Sequence, residues 1–397
     1  MCSSDLRRLR SPIILLGLLG FVHWLLGDRR RRSAYRGPVS VVVAAHNEEA
    51  VIERTLEALL RSELAGLEII VVDDGSSDRT ADTVASFSGR GVRLIRQPQG
   101  GKAQALRTGF ARARHSIVVA LDADTLFSPS TIAHLVRPFA DPRVGAVAGN
   151  PKVGNRLNLL TWFQVVEYVL TLNLERRAYA LLGCVPVVPG AVGAWRRAAV
   201  EEAGGFSGAT LAEDADLTLA LGRRGHRIVY AARAVAYTEA PQTLEGLNRQ
   251  RSRWAFGILQ CLWKHRRATF SAREGALGLV ALPGMWIVQL LLPLIAPTID
   301  LALVLSPFLS WAPQVLLVTL AYNCALVLVA AWALAIDREP VVLALLVPLQ
   351  NLFYRQFLYV MALKAVVRAL RGMRIGWNPV ARLGTSSIGA GAAGAEP

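Results

Sequence analysis

Four acidic clusters carry the side chains most able to do chemistry. Asp122-Ala123-Asp124 places two hard carboxylates one residue apart. Such oxygens suit Mg²⁺ or Mn²⁺ bridging a diphosphate, and that metal would neutralise charge on a departing nucleotide diphosphate. Asp-x-Asp spacing is common, so its weight comes from where it stands in the chain. Asp73-Asp74-Gly75-Ser76-Ser77-Asp78 ends an apolar run with two carboxylates that could accept hydrogen bonds from a base or ribose. A helix cap by Ser77 or Asp78 is the plainer reading of this stretch, and it leaves Asp73 and Asp74 unexplained. Glu213-Asp214-Ala215-Asp216 opens a helical run. Acids are favoured at a helix N-terminus for electrostatic reasons alone, but one of them could be the base that deprotonates a sugar hydroxyl. His46-Asn47-Glu48-Glu49 follows the first apolar run. A strand end opening a helix can hold a polar nucleotide group, although capping by Asn47 accounts for the same residues.

Two basic groups stand beside these acids. Gly100-Gly101-Lys102 puts a cation next to flexible backbone, in a chain with four lysines against forty arginines. It could meet phosphate as a point charge, or be a solvated loop lysine. Gln250-Arg251-Ser252-Arg253-Trp254 lies shortly before an apolar region. Trp beside Arg is often an interfacial anchor, and a Trp face can also stack on a sugar ring.

Positioning these residues requires strands. Val39–Ala45, Leu67–Asp74, Val92–Gln97, Ser116–Asp124 and Val144–Gly149 are apolar runs bounded by turn residues, as buried parallel strands are. Between the first two, Ile52, Leu56, Leu59 and Leu60 mark one face of a helix over Asn47–Ser62, with Asn47 as its N-cap. The alternation predicts a doubly wound, mostly parallel α/β sheet with its site at the strands' carboxyl ends.

The 397 residues are 53% hydrophobic and 18% charged, which excludes a disordered chain and is too apolar for an ordinary soluble enzyme. From Gly275 to Ile336 the sole charge is Asp300. The sequence therefore predicts an N-terminal anchor at residues 12–27 within a segment 1–37, and a soluble domain over 38–267. Membrane or interface helices follow over 268–370, then a basic tail over 371–397 that ends in a disordered stretch. Gly275–Leu309 reads as one long span that could break at Pro293 and Pro297; Trp311–Ile336 reads as a span of 26 residues. Val341–Leu363 carries Arg355 at its middle, either as an intramembrane charge or as an interface helix facing headgroups. Three spans after a cytoplasmic domain would put the basic tail outside, against the positive-inside preference; either one segment lies in the interface or the preference fails here. The net charge of +15 is concentrated beside apolar runs, as headgroup anchors are, and no nucleic-acid-reading motif accompanies it. The four cysteines show no metal-ligand spacing.

The order Asp73-Asp74-Gly75, Asp122-Ala123-Asp124, Glu213-Asp214, Gln250-x-x-Arg253-Trp254 resembles the processive family-2 glycosyltransferases, over about residues 38 to 382. These include cellulose, chitin and hyaluronan synthases, and the nearest likeness is to bacterial poly-β-1,6-N-acetylglucosamine synthases. Gly149–Arg156, Val188–Arg197, Leu211–Leu217 and the tail from Tyr354 to Leu383 support it. The resemblance implies a GT-A domain on the cytoplasmic side of the cell membrane, followed by transmembrane helices that form a polymer path. It implies a UDP-sugar donor, with UDP-N-acetylglucosamine the expected one, Mg²⁺ or Mn²⁺, and a β-linked product made with inversion. Asp73 or Asp74 would contact the uridine, and Ala45 and Glu48 would line the same site. Lys102 would meet the diphosphate. Asp122 and Asp124 would serve nucleotide and metal, Asp124 as the direct ligand. Asp214 would be the general base. Glu213, Gln250, Arg253 and Trp254 would hold the polysaccharide or lipid acceptor, with Gln250, Arg253 and Trp254 also near the pyrophosphate. A small accessory membrane subunit is a further expected partner. Ala44, Arg107 and Trp195 depart from the usual Pro, Asn and Phe, and one N-terminal span stands where many relatives have two. The competing readings are a single-transfer enzyme acting on a lipid acceptor and a non-catalytic export subunit.

Overall fold

A computed structural model describes residues 19, 20, 22, 34–305, 312–371 and 384–387. Most of the N-terminal anchor expected at 12–27 and most of the tail lie outside these residues. The soluble part is built on one sheet of eight strands: β1 (Val39–Ala45), β2 (Leu67–Asp74), β3 (Val92–Gln97), β4 (Ile117–Asp122), β5 (Leu126–Phe127), β6 (Val144–Val153), β7 (Gly193–Arg196) and β8 (Arg227–Thr238). Their order is β3-β2-β1-β4-β7-β6-β8-β5. The pairs β1–β2, β1–β4, β2–β3 and β6–β8 are parallel, whereas β7 runs antiparallel between β4 and β6 and β5 runs antiparallel to β8.

Both faces of the central strands are covered, which is why they read as unbroken apolar runs rather than alternating ones. Val42, Val118 and Ala120 face one core with Leu106, Phe110 and Trp195. Val41, Val43 and Val119 face the other with Ile52, Leu56 and Leu59. The helix Lys102–Arg112 lies so close to β1 that a Cβ on Gly109 would sit 2.2 Å from Val42 Cγ1. Trp195, the residue that departs from the usual Phe, is core: its ring meets Phe206 edge-on at 5.7 Å.

Several expectations need correction. Asn47 is not a helix cap: the helix spans Ile52–Leu60, and Asn47 sits at φ 55° with its side chain turned to the β2 loop. Strand β4 stops at Asp122, two residues before the expected end, and β6 runs on to Val153. Strands β5, β7 and β8 were not expected.

Among the described residues, three helices are long and apolar enough to cross a membrane: Leu277–Thr298, Pro313–Ile336 and Val341–Leu370. The first does not break at Pro293 or Pro297; helix continues to Leu305. A wider π-turn at Ile287–Leu291 directly precedes Pro293 and gives the ring room where an ordinary turn would clash.

Candidate active site

Parallel register brings the carboxyl ends of three strands together. Ala44 lies opposite Asp122, and Ala45 opposite Asp73. The two aspartates that end β2 have different surroundings. Asp74 accepts hydrogen bonds from Gly100 N–H (2.9 Å), Gly101 N–H (2.7 Å) and Gln97 Nε2 (2.6 Å). It is thereby the peg on which the loop before Lys102 hangs. Asp73 is buried, and its Oδ1 has no hydrogen-bond partner among the described residues. A buried acceptor without a donor is costly. Of the pair, Asp73 is the one with an oxygen to offer a ligand.

The loop after β1 is braced against the loop after β2. Asn47 Oδ1 accepts from Ser77 N–H at 2.8 Å, Glu48 N–H donates to Thr80 Oγ1 at 2.8 Å, and Glu49 N–H donates to Asp78 Oδ2 at 3.2 Å. His46 bridges to Asp74 O at 2.9 Å and to Gln99 at 3.2 Å. Thus much of the His46–Glu49 cluster holds loops together, and Ala45 is a buried strand end beside Asp73.

The break of β4 after Asp122 puts Ala123 and Asp124 in a turn, pinned where Thr55 Oγ1 donates to Ala123 O at 2.7 Å. Asp122 is half-buried and reaches Lys102 Nζ at 2.5 Å; Glu213 Oε1 reaches the same nitrogen at 3.5 Å. The wall between them is Gly190, where a Cβ would lie 2.5 Å from Lys102 Nζ and 3.5 Å from Asp122 Oδ1. A side chain there would push the Lys102 ammonium from its present place. Gly190 was not read as a site residue, though it stands in the Val188–Arg197 phrase.

Asp214 begins the Glu213–Arg223 helix, and its two oxygens accept from Gly190 N–H (3.0 Å) and Ala215 N–H (2.8 Å). Each oxygen keeps acceptor capacity for a substrate hydroxyl. Asp216, one turn position on, faces away. It binds Lys264 at 2.6 Å and His265 at 2.9 Å, tying the Glu213–Arg223 helix to the end of the Leu244–Lys264 helix. One acidic cluster thus divides into a site half and a structural half.

Burial opposes a charge on Lys102, but Asp122, Glu213 and Asp214 outweigh it and hold the ammonium pKa above its ordinary value. Burial pushes the Glu213 carboxyl up, Lys102 opposes this, and Asp214 and Asp122 add to it. Asp122, Glu213 and Asp214 all act on the Lys102 ammonium, and the buried Arg176 guanidinium also lies within electrostatic reach of Asp214. Among the described residues no group of three or more His, Cys, Asp or Glu is arranged to hold a metal. Asp122 and Asp124 nevertheless supply the hard oxygen donors that Mg²⁺ or Mn²⁺ takes when substrate phosphates complete its shell. The donor set fits such an ion.

The Leu244–Lys264 helix starts at Thr243, whose side chain caps Gly246 N–H at 3.1 Å. It is held to the loop leading into Asp214 by Gln260 Oε1, which accepts from Leu211 N–H at 2.9 Å. Gln250 is buried and accepts from Arg251 at 2.7 Å. Arg251 in turn binds Glu167 at 2.6 Å, and its guanidinium lies 4.2 Å from the centre of the Trp254 ring. Trp254 is partly exposed, but one face of its ring is covered by that cation. Arg253, half-buried, makes no hydrogen bond or ion pair among the described residues.

Residues 36–257 match the profile of the glycosyltransferase like family 2, more than half of the chain. The chain belongs to this family. The mixed sheet is its GT-A fold, and the protein is a glycosyltransferase. Two curated relatives are the poly-beta-1,6-N-acetyl-D-glucosamine synthases of Staphylococcus aureus strain COL, 32% identical over 239 residues, and of Staphylococcus epidermidis, 29% identical over the same length. The match covers 59% of this chain and spans about 58% of the length of those relatives. Among solved structures, the mannosyltransferase from Pyrobaculum calidifontis in complex with GDP-Man and Mn²⁺ is similar with a TM-score of 0.59 and 25% identity, covering 87% of this chain and 99% of that one.

Proposed function

We propose that this glycosyltransferase is a membrane-bound inverting enzyme that moves a sugar, N-acetylglucosamine, from its UDP donor to the end of a growing β-linked polysaccharide exported by the same molecule. The observation that carries this reading is the meeting of Asp214, Lys102 and Asp122 around Gly190. It supports a base on the acceptor side and charge control on the diphosphate side of one reaction centre.

In this reading Asp73 accepts hydrogen bonds from the uridine, and Asp74 holds the Gly100–Gly101 loop that presents Lys102. Asp214 takes the proton of the acceptor hydroxyl as its oxygen bonds to the anomeric carbon. The bond from that carbon to the diphosphate breaks on the opposite side, so an α-linked donor gives a β-linked product. Lys102 and Arg253 carry the diphosphate charge. Asp122 and Asp124 would hold Mg²⁺ or Mn²⁺, which when bound offsets charge on the departing UDP. Glu213, Gln250 and Trp254 border the acceptor, and the catalytic domain faces the cytoplasm.

The second reading is single transfer to a lipid acceptor. The Trp254 ring face covered by Arg251 favours it, since that face is closed to a sugar ring. Purified protein with Mg²⁺ or Mn²⁺ and UDP-N-acetylglucosamine, UDP-glucose or UDP-glucuronate tests both. UDP release with one donor, absent in Asp214→Asn, supports transfer, and product size separates polymer from glycolipid. Release with none of the donors, GDP-mannose included, would sink the enzymatic assignment of the site.

A further inference from the structure

Two contacts tie the apolar helices to the catalytic domain through charged groups. In the first, Asp337 and Glu339, which lie between Pro313–Ile336 and Val341–Leu370, enter a buried ion network with β6 and the residues after it. Lys152 lies 3.4 Å from Asp337 and 3.2 Å from Glu339, and Arg156 lies 2.9 Å from Glu339. This network holds that helix pair to the sheet.

The second contact runs towards Trp254. Glu167 ends the Leu159–Glu167 helix, where the chain passes into a wider π-turn over Tyr168–Leu174. Tyr354 ends another such turn, Gln350–Tyr354, in the last apolar helix. Turns of this kind recur at functional sites. The Tyr354 hydroxyl donates to Glu167 Oε2 at 2.6 Å, and Arg251 donates to the same oxygen at 2.6 Å. The Tyr354 ring is held independently of its hydroxyl. It packs with Leu247 and with Phe163, whose ring centre is 5.6 Å away. Those two residues stand one helical turn before Arg251 and Glu167, so the ring fills one layer and its oxygen reaches the next.

Arg251 depends on this anchor. Its terminal nitrogens donate to Glu167 and, at 2.7 Å, to Gln250 Oε1, whereas its Nε is buried with no hydrogen-bond partner among the described residues. Two charge-assisted bonds at the tip therefore set where the planar group lies. It lies 4.2 Å from the centre of the Trp254 ring and 5.8 Å from that of Tyr168. Trp254 follows Arg251 by three residues on one helix face and stays 37% exposed. Tyr354, Glu167, Arg251 and Trp254 thus form one continuous chain of contacts, from the last apolar helix to a ring that borders the acceptor.

We infer that Tyr354 is a positioning residue for the acceptor: by fixing Glu167 and, through it, Arg251, it keeps one face of Trp254 closed and confines an incoming sugar ring to the part left exposed. The inference rests on the reading of Trp254 as an acceptor contact.

The test uses the full chain in nanodiscs, labelled with 5-fluorotryptophan, with the Trp254 resonance assigned by Trp254→Phe. Tyr354→Phe keeps the ring and removes the oxygen. It should shift the Trp254 fluorine resonance and leave that of Trp195, in the core, in place. Glu167→Gln, read in the same way, decides the matter if Tyr354→Phe does not fold. An unmoved Trp254 resonance would overturn the inference, because a tie that only holds the helices together leaves Arg251 on the ring. Calorimetry with a β-linked N-acetylglucosamine tetrasaccharide as probe supplies the second readout. Its Kd should weaken about three- to tenfold in Tyr354→Phe while that of UDP stays unchanged. In a Trp254→Phe background the same substitution should add nothing. A full further loss there would overturn the inference, since Tyr354 would then act elsewhere. If Trp254→Phe alone leaves tetrasaccharide binding as it was, or the native chain binds none, the acceptor reading of Trp254 fails and takes the inference with it, whatever the fluorine resonance does.

Discussion

Asp214→Asn keeps the shape of the side chain and its hold on Gly190 but removes the base. Transfer should fall by about 10²–10⁴-fold, while UDP binding by calorimetry changes little; unchanged turnover would assign the base elsewhere. Gly190→Ala places a methyl against Lys102 Nζ. Overpacking of this kind costs about 1–3 kcal/mol, and we expect turnover to drop about tenfold or more as the Lys102–Asp122 pair is displaced, measured by UDP release. Glu175 tests the buried electrostatics away from the site. Burial pushes its carboxyl up to about 7 from 4.5, against the opposing pull of Arg176 and Tyr179. A raised folded value means stability is full below about 4.5 and is lost as pH rises through about 7. Glu175→Gln has no charge to bury, so its melting temperature should gain on the native chain across that window. The gain should approach about 2–4 kcal/mol above it; equal melting curves at pH 5 and pH 8 would refute this. Residue types and spacing made the acids legible. They could not tell Asp73 from Asp74, because neighbouring strand-end residues differ only in what three-dimensional neighbours donate to them.

The Leu244–Lys264 helix owes its place to a few contacts with the element that carries Asp214. Asp216 is the firmest: despite burial, His265 and Lys264 hold its carboxyl below the usual range. Its contribution is present above the unfolded pKa and is lost as pH falls through the folded one. Asp216→Asn should lower stability by about 2–4 kcal/mol near neutral pH, seen as a lower melting temperature, with the deficit shrinking in acid. Elements were legible where periodicity was pure. Strands β1 and β2 were read to the residue because they are buried along most of their length on both faces, and β3, at the sheet edge, because turn residues bound its apolar run. Strand β7 has four residues, including Gly193 and Trp195, and β5 has two, so neither leaves a periodic trace. Strand β8 mixes Arg227, Arg233 and Tyr230 into its run and shifts register against β6, which hides its alternation.

For the molecule as a whole, the catalytic domain and the helix pair are joined by the network around Lys152. Lys152→Met would leave two buried carboxylates with less compensation, a loss of about 3–5 kcal/mol. We expect earlier melting in detergent and faster proteolysis near residue 340. Neither change would mean that the join lies elsewhere. The sequence marked this stretch only as part of a resembling phrase, since a lysine on β6 and acids nearly two hundred residues later share no local pattern.

Arg54, near the start of the domain, binds carbonyls 330 and 332 residues further along the chain. At roughly 5–20 residues per second of synthesis, the ribosome reaches those partners about 15–65 seconds after making Arg54. The sheet can form early, but the contact that Arg54 makes from the Ile52–Leu60 helix stays open until that distant stretch has been made. A nascent chain stalled before Gly384 would therefore carry a formed sheet with this long-range clasp still missing.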